Sequence, residues 1–143
     1  MKSTLAFLWA SGRVLLAIIF VQAGIGKLGN LAATVHGMGS HGIPFPDILV
    51  WGAVALELGG GLMLIAGFLT RLVAILYFFY LIALIVIFHP YWTMVAEAAR
   101  ENRTLFFNHL AIVGGMLVVV AVGAGPYSVD ALIWGRRSRR APP

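Results

Sequence analysis

Long stretches of the chain carry no charged residue. The runs 72–96 and 104–129 contain no Asp, Glu, Lys or Arg, and each exceeds the ~20 apolar residues that a helix needs to cross the ~30 Å hydrocarbon core of a bilayer. Two further apolar runs are interrupted by charge, the first by Lys27 near its end and the second by Glu57 in its middle. The pattern predicts four membrane-spanning helices, at about 12–28, 48–69, 72–89 and 105–124.

Strands are not expected in these runs. Membrane-barrel strands alternate apolar and polar residues over ~10 positions, whereas the run LYFFYLIALIVIF at 76–88 is apolar on every helical or strand face. The predicted fold class is therefore an all-α integral membrane protein, an antiparallel four-helix bundle in one domain, 1–143. The start of the first helix is left open between Leu5 and Gly12, and Arg13 within the apolar run argues against a cleaved signal peptide.

Composition and charge agree with a membrane protein. Of the 143 residues, 61% are hydrophobic and 10% are charged, against ~45–50% and ~25% in ordinary soluble domains. The net charge of +5 would suggest nucleic acid as a partner of a soluble protein. Four spans instead collect most of the cations on one side of the membrane, which identifies that side as cytoplasmic. These cations are Lys2, Arg13, Arg71, Arg136, Arg137, Arg139 and Arg140, against Lys27, Arg100 and Arg103 on the other side.

The positive residues therefore predict a multi-pass protein of the bacterial inner membrane with both termini cytoplasmic. The basic tail, 136–143, is expected to contact lipid head groups, and no nucleic acid is expected as a partner. The chain has no Cys, which excludes a disulfide framework, thiolate metal ligands and dithiol chemistry. The spacing of the four His predicts no metal site. His36 and His41 belong to a Gly-rich external loop and are expected to be exposed to solvent.

Glu57 is the polar residue that lies deepest in a predicted span. It follows the start of the second span by ~10 residues, or about 15 Å at ~1.5 Å per residue, which is close to the bilayer midplane. A carboxylate at that depth must face the bundle and be paired, hydrated or protonated. Glu57 is therefore either an acid that handles protons or binds a ligand, or a structural acid held by neighbouring donors.

Lys27 lies near the outer end of the first span and also allows two interpretations. Its ammonium group either extends to the membrane surface along its apolar stem or forms a salt bridge with Glu57. The salt bridge must span a depth difference of ~10 Å. Gln22 matches Glu57 better in depth and is predicted to be its hydrogen-bond partner.

Three further polar residues fall toward the outer membrane boundary: His89 at the end of the third span, and Asn108 and His109 at the start of the fourth. Together with the residues above they predict an outward-facing polar pocket. In this pocket Glu57 and His89 are the candidates for proton transfer. The candidate ligand-binding residues are Gln22, Lys27, Asn108 and His109. Taken alone, His109 also fits a solvated or capping group.

Several segments resemble the DoxX family of small bacterial and archaeal membrane proteins. They are GRVLLAIIFVQAGIGK at 12–27, GIPFP at 42–46, ELGGGLMLIAGFLTR at 57–71, HLAIVGG at 109–115 and GAGPYSVD at 123–130. The resemblance covers almost the whole chain. It implies that Lys27 and Glu57 correspond to functional polar positions of the family. Asn108-His109 departs from the Lys-Asn expected there in many members.

The resemblance implies a role in redox chemistry, because the family is named for a subunit associated with thiosulfate:quinone oxidoreductase and quinol oxidase systems. The leading hypothesis is a subunit of a quinone-linked oxidoreductase complex, with no covalently bound cofactor, a quinone as ligand, and partner proteins or further copies of the chain as neighbours in the bilayer. The alternative is a noncatalytic membrane anchor or assembly scaffold for a partner protein. A transporter or channel lacks support because no inverted repeat is visible.

Overall fold

Four helices of the protein are long and apolar enough to cross a membrane. The computed structural model describes the backbone of residues 3–138 and the side chains of residues 3–134, and within this range every regular element is helical. The fold class predicted from the sequence, an all-helical membrane protein with four spans, is confirmed. The spans are Ser3–Gly29, Pro46–Ala66, Thr70–Thr93 and Ala96–Val122.

The second span is interrupted by one wide helical turn. The sequence of elements is α1 Ser3–Gly29, α2 Leu31–Ser40, α3 Pro46–Val54, a π-helical turn Ala55–Gly60, α4 Gly61–Ala66, α5 Thr70–Phe88, a 3-10 turn Tyr91–Thr93, α6 Ala96–Val122 and α7 Val129–Ser138. In a π-helical turn each N–H bonds to the carbonyl five residues earlier, and such turns are frequent at functional sites. Here the wide turn contains Glu57.

Two of the long helices begin earlier than predicted. α1 begins at Ser3, which agrees with the earlier of the two starts left open, near Leu5, and α6 begins at Ala96 rather than at about 105. The extension of α6 contains the polar sequence EAAREN at 97–102, which precedes the predicted fourth span. Ala, Glu and Arg are strong helix formers, so this segment continues the helix beyond the apolar run.

The external segment between the first two spans also differs from the predicted loop. Residues Leu31–Ser40 form α2, and Asn30 caps its first turn by accepting a hydrogen bond from the N–H of Ala33 at 3.4 Å. Gly37 and Gly39 had suggested an irregular chain, but neither has a positive φ and both remain helical. His36 and His41 are exposed, as predicted.

Glycine lets α1 approach the second span closely. A Cβ at Gly24 would lie 2.9 Å from the backbone N of Leu58, and one at Gly61 would lie 2.7 Å from Cγ2 of Val21. α5 packs along α6 and α4, and the ring of Tyr77 stacks on Phe20 with centroids 3.8 Å apart. Close backbone approach at small residues is the usual means by which helices associate in lipid.

Gly61→Ala is expected to lower the free energy of unfolding by about 2 kcal/mol, because the added methyl group forces α1 and α4 apart. Gly114→Ala is the matched control, since a Cβ there meets nothing within 4 Å. It is expected to stabilise α6 by about 0.5 kcal/mol, because Ala loses less backbone entropy than Gly on folding. Unfolding in mixed micelles measures both changes. Equal destabilisation by the two variants would contradict the close approach.

A polar network closes the end of the bundle opposite Lys27. Arg13, which is 2% exposed, donates hydrogen bonds to the carbonyl oxygens of Ala124, of Tyr127 at 2.9 Å and of Ile65 at 3.3 Å. The carboxylate of Asp130 accepts from two backbone N–H groups in the turn that precedes α5. Together these bonds attach the segment that follows α6 to the turn between α4 and α5.

The placement of the positive residues agrees with their predicted grouping. Arg13 and Arg71 both contact the C-terminal part of the chain, Ala121 to Tyr127, whereas Arg100 and Arg103 lie in the first turns of α6 at the other end. Lys2, Arg139 and Arg140 lie outside the described residues, and the side chains of Arg136 and Arg137 outside the described side chains. The cytoplasmic location of the termini stays a prediction.

Candidate functional site

A buried ion pair links the first and second spans. Nζ of Lys27 lies 2.8 Å from each carboxylate oxygen of Glu57, and the two side chains are 25% and 3% exposed. The hydroxyl group of Tyr80 on α5 donates a third hydrogen bond, to Oε1 of Glu57 at 2.6 Å. Of the two interpretations of Lys27, the structure therefore supports the salt bridge.

The π-helical turn and its neighbours position Glu57. Tyr77, which is fully buried, donates its hydroxyl to the backbone oxygens of Leu56 and Glu57 at 2.9 and 3.0 Å. These bonds satisfy carbonyl groups at the wide turn, which would be costly to leave without partners inside a membrane. The turn is packed on its other side by Gly24 of α1. Glu57 is therefore held through both its backbone and its carboxylate.

The salt bridge contradicts the prediction that Gln22 is the hydrogen-bond partner of Glu57. Gln22 and Lys27 are five residues apart on α1, which places them roughly 140° apart around the helix axis. Lys27 lies on the side of α1 that contains the buried Phe20 and Gly24, whereas Gln22 is exposed. The direction of a side chain around the helix therefore decides which residue reaches Glu57, more than its depth in the membrane does. The four-carbon stem of Lys27 spans the difference in depth.

A cavity of about 800 Å³ opens beside this ion pair. Its walls are largely apolar, with Leu49, Leu56 and Leu84 among the lining residues. Pockets of 300–1,000 Å³ with apolar walls and a few polar groups are typical of small-molecule sites. The polar side chains that line it are Lys27, Thr34, His41, Tyr80, His89 and His109.

Two histidines form a pair in the wall of the cavity. The rings of His89, which follows α5, and His109 on α6 have centroids 5.0 Å apart. Nδ1 of His89 lies 2.9 Å from Oδ1 of Asn102, and Nδ1 of His109 lies 2.8 Å from the carbonyl oxygen of Leu105. These bonds fix both rings through Nδ1, and no group among the described residues bonds to Nε2 of either ring.

The predicted site residues divide into two groups. Lys27, His89 and His109 line the cavity, and Glu57 lies behind Lys27 and Tyr80, so the predicted juxtaposition of these four is observed. Gln22 and Asn108 are exposed and do not line the cavity. The roles assigned to all six, proton transfer for Glu57 and His89 and ligand binding for the others, stay predictions.

Three functional candidates were missed by the sequence analysis. Tyr80 lies in the apolar run of the third span, and only its hydroxyl group distinguishes it from the neighbouring rings. Asn102 lies in a segment that was predicted to be outside the bundle. His41 was placed in a loop, but its ring packs against Phe88 at 4.6 Å and lines the cavity. An amphipathic reading of 96–109 as one helix would have placed Asn102 two turns before His109.

Comparisons with known proteins agree with this fold. The DoxX family model matches residues 8–90. The chain is 33% identical to "Inner membrane protein YphA" of Escherichia coli strain K12 over 82% of this chain and 84% of that protein, and 34% identical to "Inner membrane protein YqjF" of the same strain over 85% and 88%. It is 28% identical to "Putative oxidoreductase CatD" of Bacillus subtilis strain 168 over 76% and 80%. No solved structure matches significantly. The chain is therefore a multi-pass inner-membrane protein that belongs to the DoxX family.

Proposed function

We propose that this protein is the membrane subunit of a quinone-linked oxidoreductase complex and that its cavity receives the quinone head group. The observation that carries the proposal is the cavity of about 800 Å³, which combines apolar walls with the Lys27–Glu57–Tyr80 cluster and the His89–His109 pair. A quinone likewise combines a polar part with an apolar part, since its polar ring is attached to an apolar tail.

The chemical types of the residues that line the cavity suit a quinone. Lys27 has three N–H donors, of which two bond to Glu57, so the third is available to an oxygen of the head group. His89 and His109 present imidazole rings to the cavity, and imidazole is the side chain that most often transfers protons in enzymes. Apolar residues, including Leu49, Ile87 and Phe88, line the remainder and suit the ring and tail.

We assign the group that exchanges electrons with the quinone to a partner protein. A chain without Cys has no thiolates to hold an iron–sulfur cluster or to form a dithiol centre. Carriage of electrons to or from the quinone then requires a group supplied by another subunit. The name of the relative CatD, "Putative oxidoreductase", supports an oxidoreductase context without naming a substrate.

Blocking the cavity is expected to abolish quinone binding. Gly52 lines the cavity, and a Cβ there meets nothing within 4 Å, so Gly52→Phe fills the space without a clash with the backbone. Gly114 on α6 is equally open but lies outside the cavity, and Gly114→Phe is the matched control. We expect Gly52→Phe to weaken binding at least tenfold, or about 1.4 kcal/mol, and the control to bind as the unmodified protein does.

The measurement is equilibrium binding of decylubiquinone to the purified protein in nanodiscs of quinone-free lipid, followed by quenching of tryptophan fluorescence and by direct quantification of bound quinone. Empty nanodiscs provide the partition background. Saturable binding that Gly52→Phe removes supports the proposal. Absence of saturable binding, or equal loss in both variants, would refute it and would favour the noncatalytic scaffold.

A further inference from the structure

The hydrogen bonds of the histidine pair determine which ring nitrogen carries the proton. The carbonyl oxygen of Leu105 can only accept a hydrogen bond, so Nδ1 of His109 must be the donor in their 2.8 Å contact. The amide of Asn102 donates through Nδ2 to the carbonyl oxygen of Ala98 at 3.0 Å, which leaves its Oδ1 facing His89. Nδ1 of His89 is therefore also a donor.

A neutral imidazole that carries its hydrogen on Nδ1 has a lone pair on Nε2 and accepts hydrogen bonds there. His89 and His109 thus each present an acceptor. His41, which lines the same cavity, follows the same pattern, because its Nδ1 lies 2.8 Å from the carbonyl oxygen of Gly37. Three rings from three parts of the chain therefore contribute Nε2 acceptors and no free N–H donor.

The two neutral hydroxyl groups in the cavity wall are used in the same way. Tyr80 donates its hydrogen to Glu57, and Thr34 donates its hydrogen to the carbonyl oxygen of Asn30 at 3.0 Å. Their oxygens keep lone pairs that can accept. Every neutral polar side chain among the described lining residues therefore uses its donor within the protein, and Lys27 is the one lining side chain with a spare donor.

We propose that the cavity selects the hydroquinone over the quinone, because its acceptors require a ligand that donates hydrogen bonds. This inference rests on the proposed function. A quinone presents two carbonyl oxygens, both acceptors, and can satisfy only Lys27. A hydroquinone presents two hydroxyl groups: each donates to an Nε2 or to the Tyr80 oxygen, and either oxygen can still accept from Lys27.

The expected preference follows from the number of hydrogen bonds that differ. A net hydrogen bond changes a dissociation constant by roughly fivefold, and an acceptor that the ligand buries without a donor adds a further cost. Two hydroxyl groups therefore favour the hydroquinone by about tenfold or more in dissociation constant. Apolar contacts with the ring and tail are shared by both forms and contribute nothing to the difference.

The test compares decylubiquinol and decylubiquinone on the purified protein in quinone-free nanodiscs under anaerobic conditions. A reductant can hold the quinol form without side effects on disulfides, since the chain has no Cys. We expect the quinol to bind at least tenfold more tightly. His89→Phe and His109→Phe each remove one acceptor while keeping a planar ring, and each is expected to reduce the preference by about threefold to tenfold. His36→Phe is the control, because His36 lies outside this cavity.

The outcomes separate the two proposals. Equal affinity for the two forms, or tighter binding of the quinone, would overturn the preference while leaving quinone binding in place. Saturable binding of neither form would refute the proposed function itself. A quinol preference that persists unchanged in both His89→Phe and His109→Phe, in folded protein, would contradict the role of the histidine acceptors. The two variants are independent, so a folding failure of one leaves the other as the test.

Discussion

Replacing Arg13 with Met is expected to lower the free energy of unfolding by about 3 kcal/mol. The guanidinium group is 2% exposed and bonds to three carbonyl oxygens, those of Ile65, Ala124 and Tyr127. Loss of the donors leaves these carbonyls without partners in a region that water does not reach readily, and each such group costs about 1–3 kcal/mol. The side-chain stem is replaced by one of similar length, so the change is chiefly in hydrogen bonding.

Arg71→Met is the matched control for Arg13→Met. It removes the same charge from the same end of the bundle, so both variants affect membrane orientation equally. Arg71 is exposed, and the hydrogen bond it makes among the described residues, to the oxygen of Ala121, is long, at 3.4 Å. We expect a loss below about 0.5 kcal/mol. Unfolding by sodium dodecyl sulfate in mixed micelles, followed by circular dichroism, measures both. Similar losses in the two variants would show that Arg13 acts through charge alone.

Replacing Lys27 with Met is expected to destabilise the protein by about 2 kcal/mol. Among the described residues, the substitution leaves the carboxylate of Glu57, 3% exposed, with the hydroxyl group of Tyr80 as its remaining partner. Removal of one partner from a buried pair costs 3–5 kcal/mol in soluble proteins. The 25% exposure of Lys27 lowers this value.

A double-mutant cycle separates the ion pair from other effects of Lys27→Met. Glu57→Gln keeps the shape of the side chain and removes its charge. In the Lys27→Met background it removes an unpaired carboxylate, so it is expected to restore about 1 kcal/mol of the loss. In the unmodified background the same change is expected to destabilise the protein. Strictly additive losses would contradict the coupling of Lys27 with Glu57.

The spans, and the importance of Lys27 and Glu57 within them, were predictable from the sequence for one physical reason. A carboxylate deep inside an apolar run has few solutions in a membrane, so the sequence identified Glu57 as a residue that faces the bundle, whereas for Lys27 it left both the membrane surface and a salt bridge open. The sequence could not choose between a salt bridge and separate roles. That choice depends on direction around α1, and a shift of five residues separates the partly buried Lys27 from the exposed Gln22.

The rest of the site depends on contacts that leave no trace in a hydropathy pattern. The π-helical turn at Ala55–Gly60 requires Tyr77 from another helix to satisfy its carbonyls, and a local pattern does not contain that information. Tyr80 is one ring among several in an apolar run and becomes distinct only because it meets Glu57. α2 was missed because Gly37 and Gly39 favour irregular chain when local propensity alone is considered. The histidine tautomers likewise depend on their partners in space.

The proposed function depends on the binding of a quinone head group in the cavity beside Lys27 and Glu57. Photolabelling of the protein in nanodiscs with an azido-quinone, followed by mass spectrometry of the peptides, tests it most directly. We expect adducts on cavity residues such as Met38, Leu56 and Ile87, and we expect excess decylubiquinol to suppress them. Adducts confined to lipid-facing residues such as Leu15 and Phe79, which are 69% and 65% exposed, and unaffected by the competitor would contradict it.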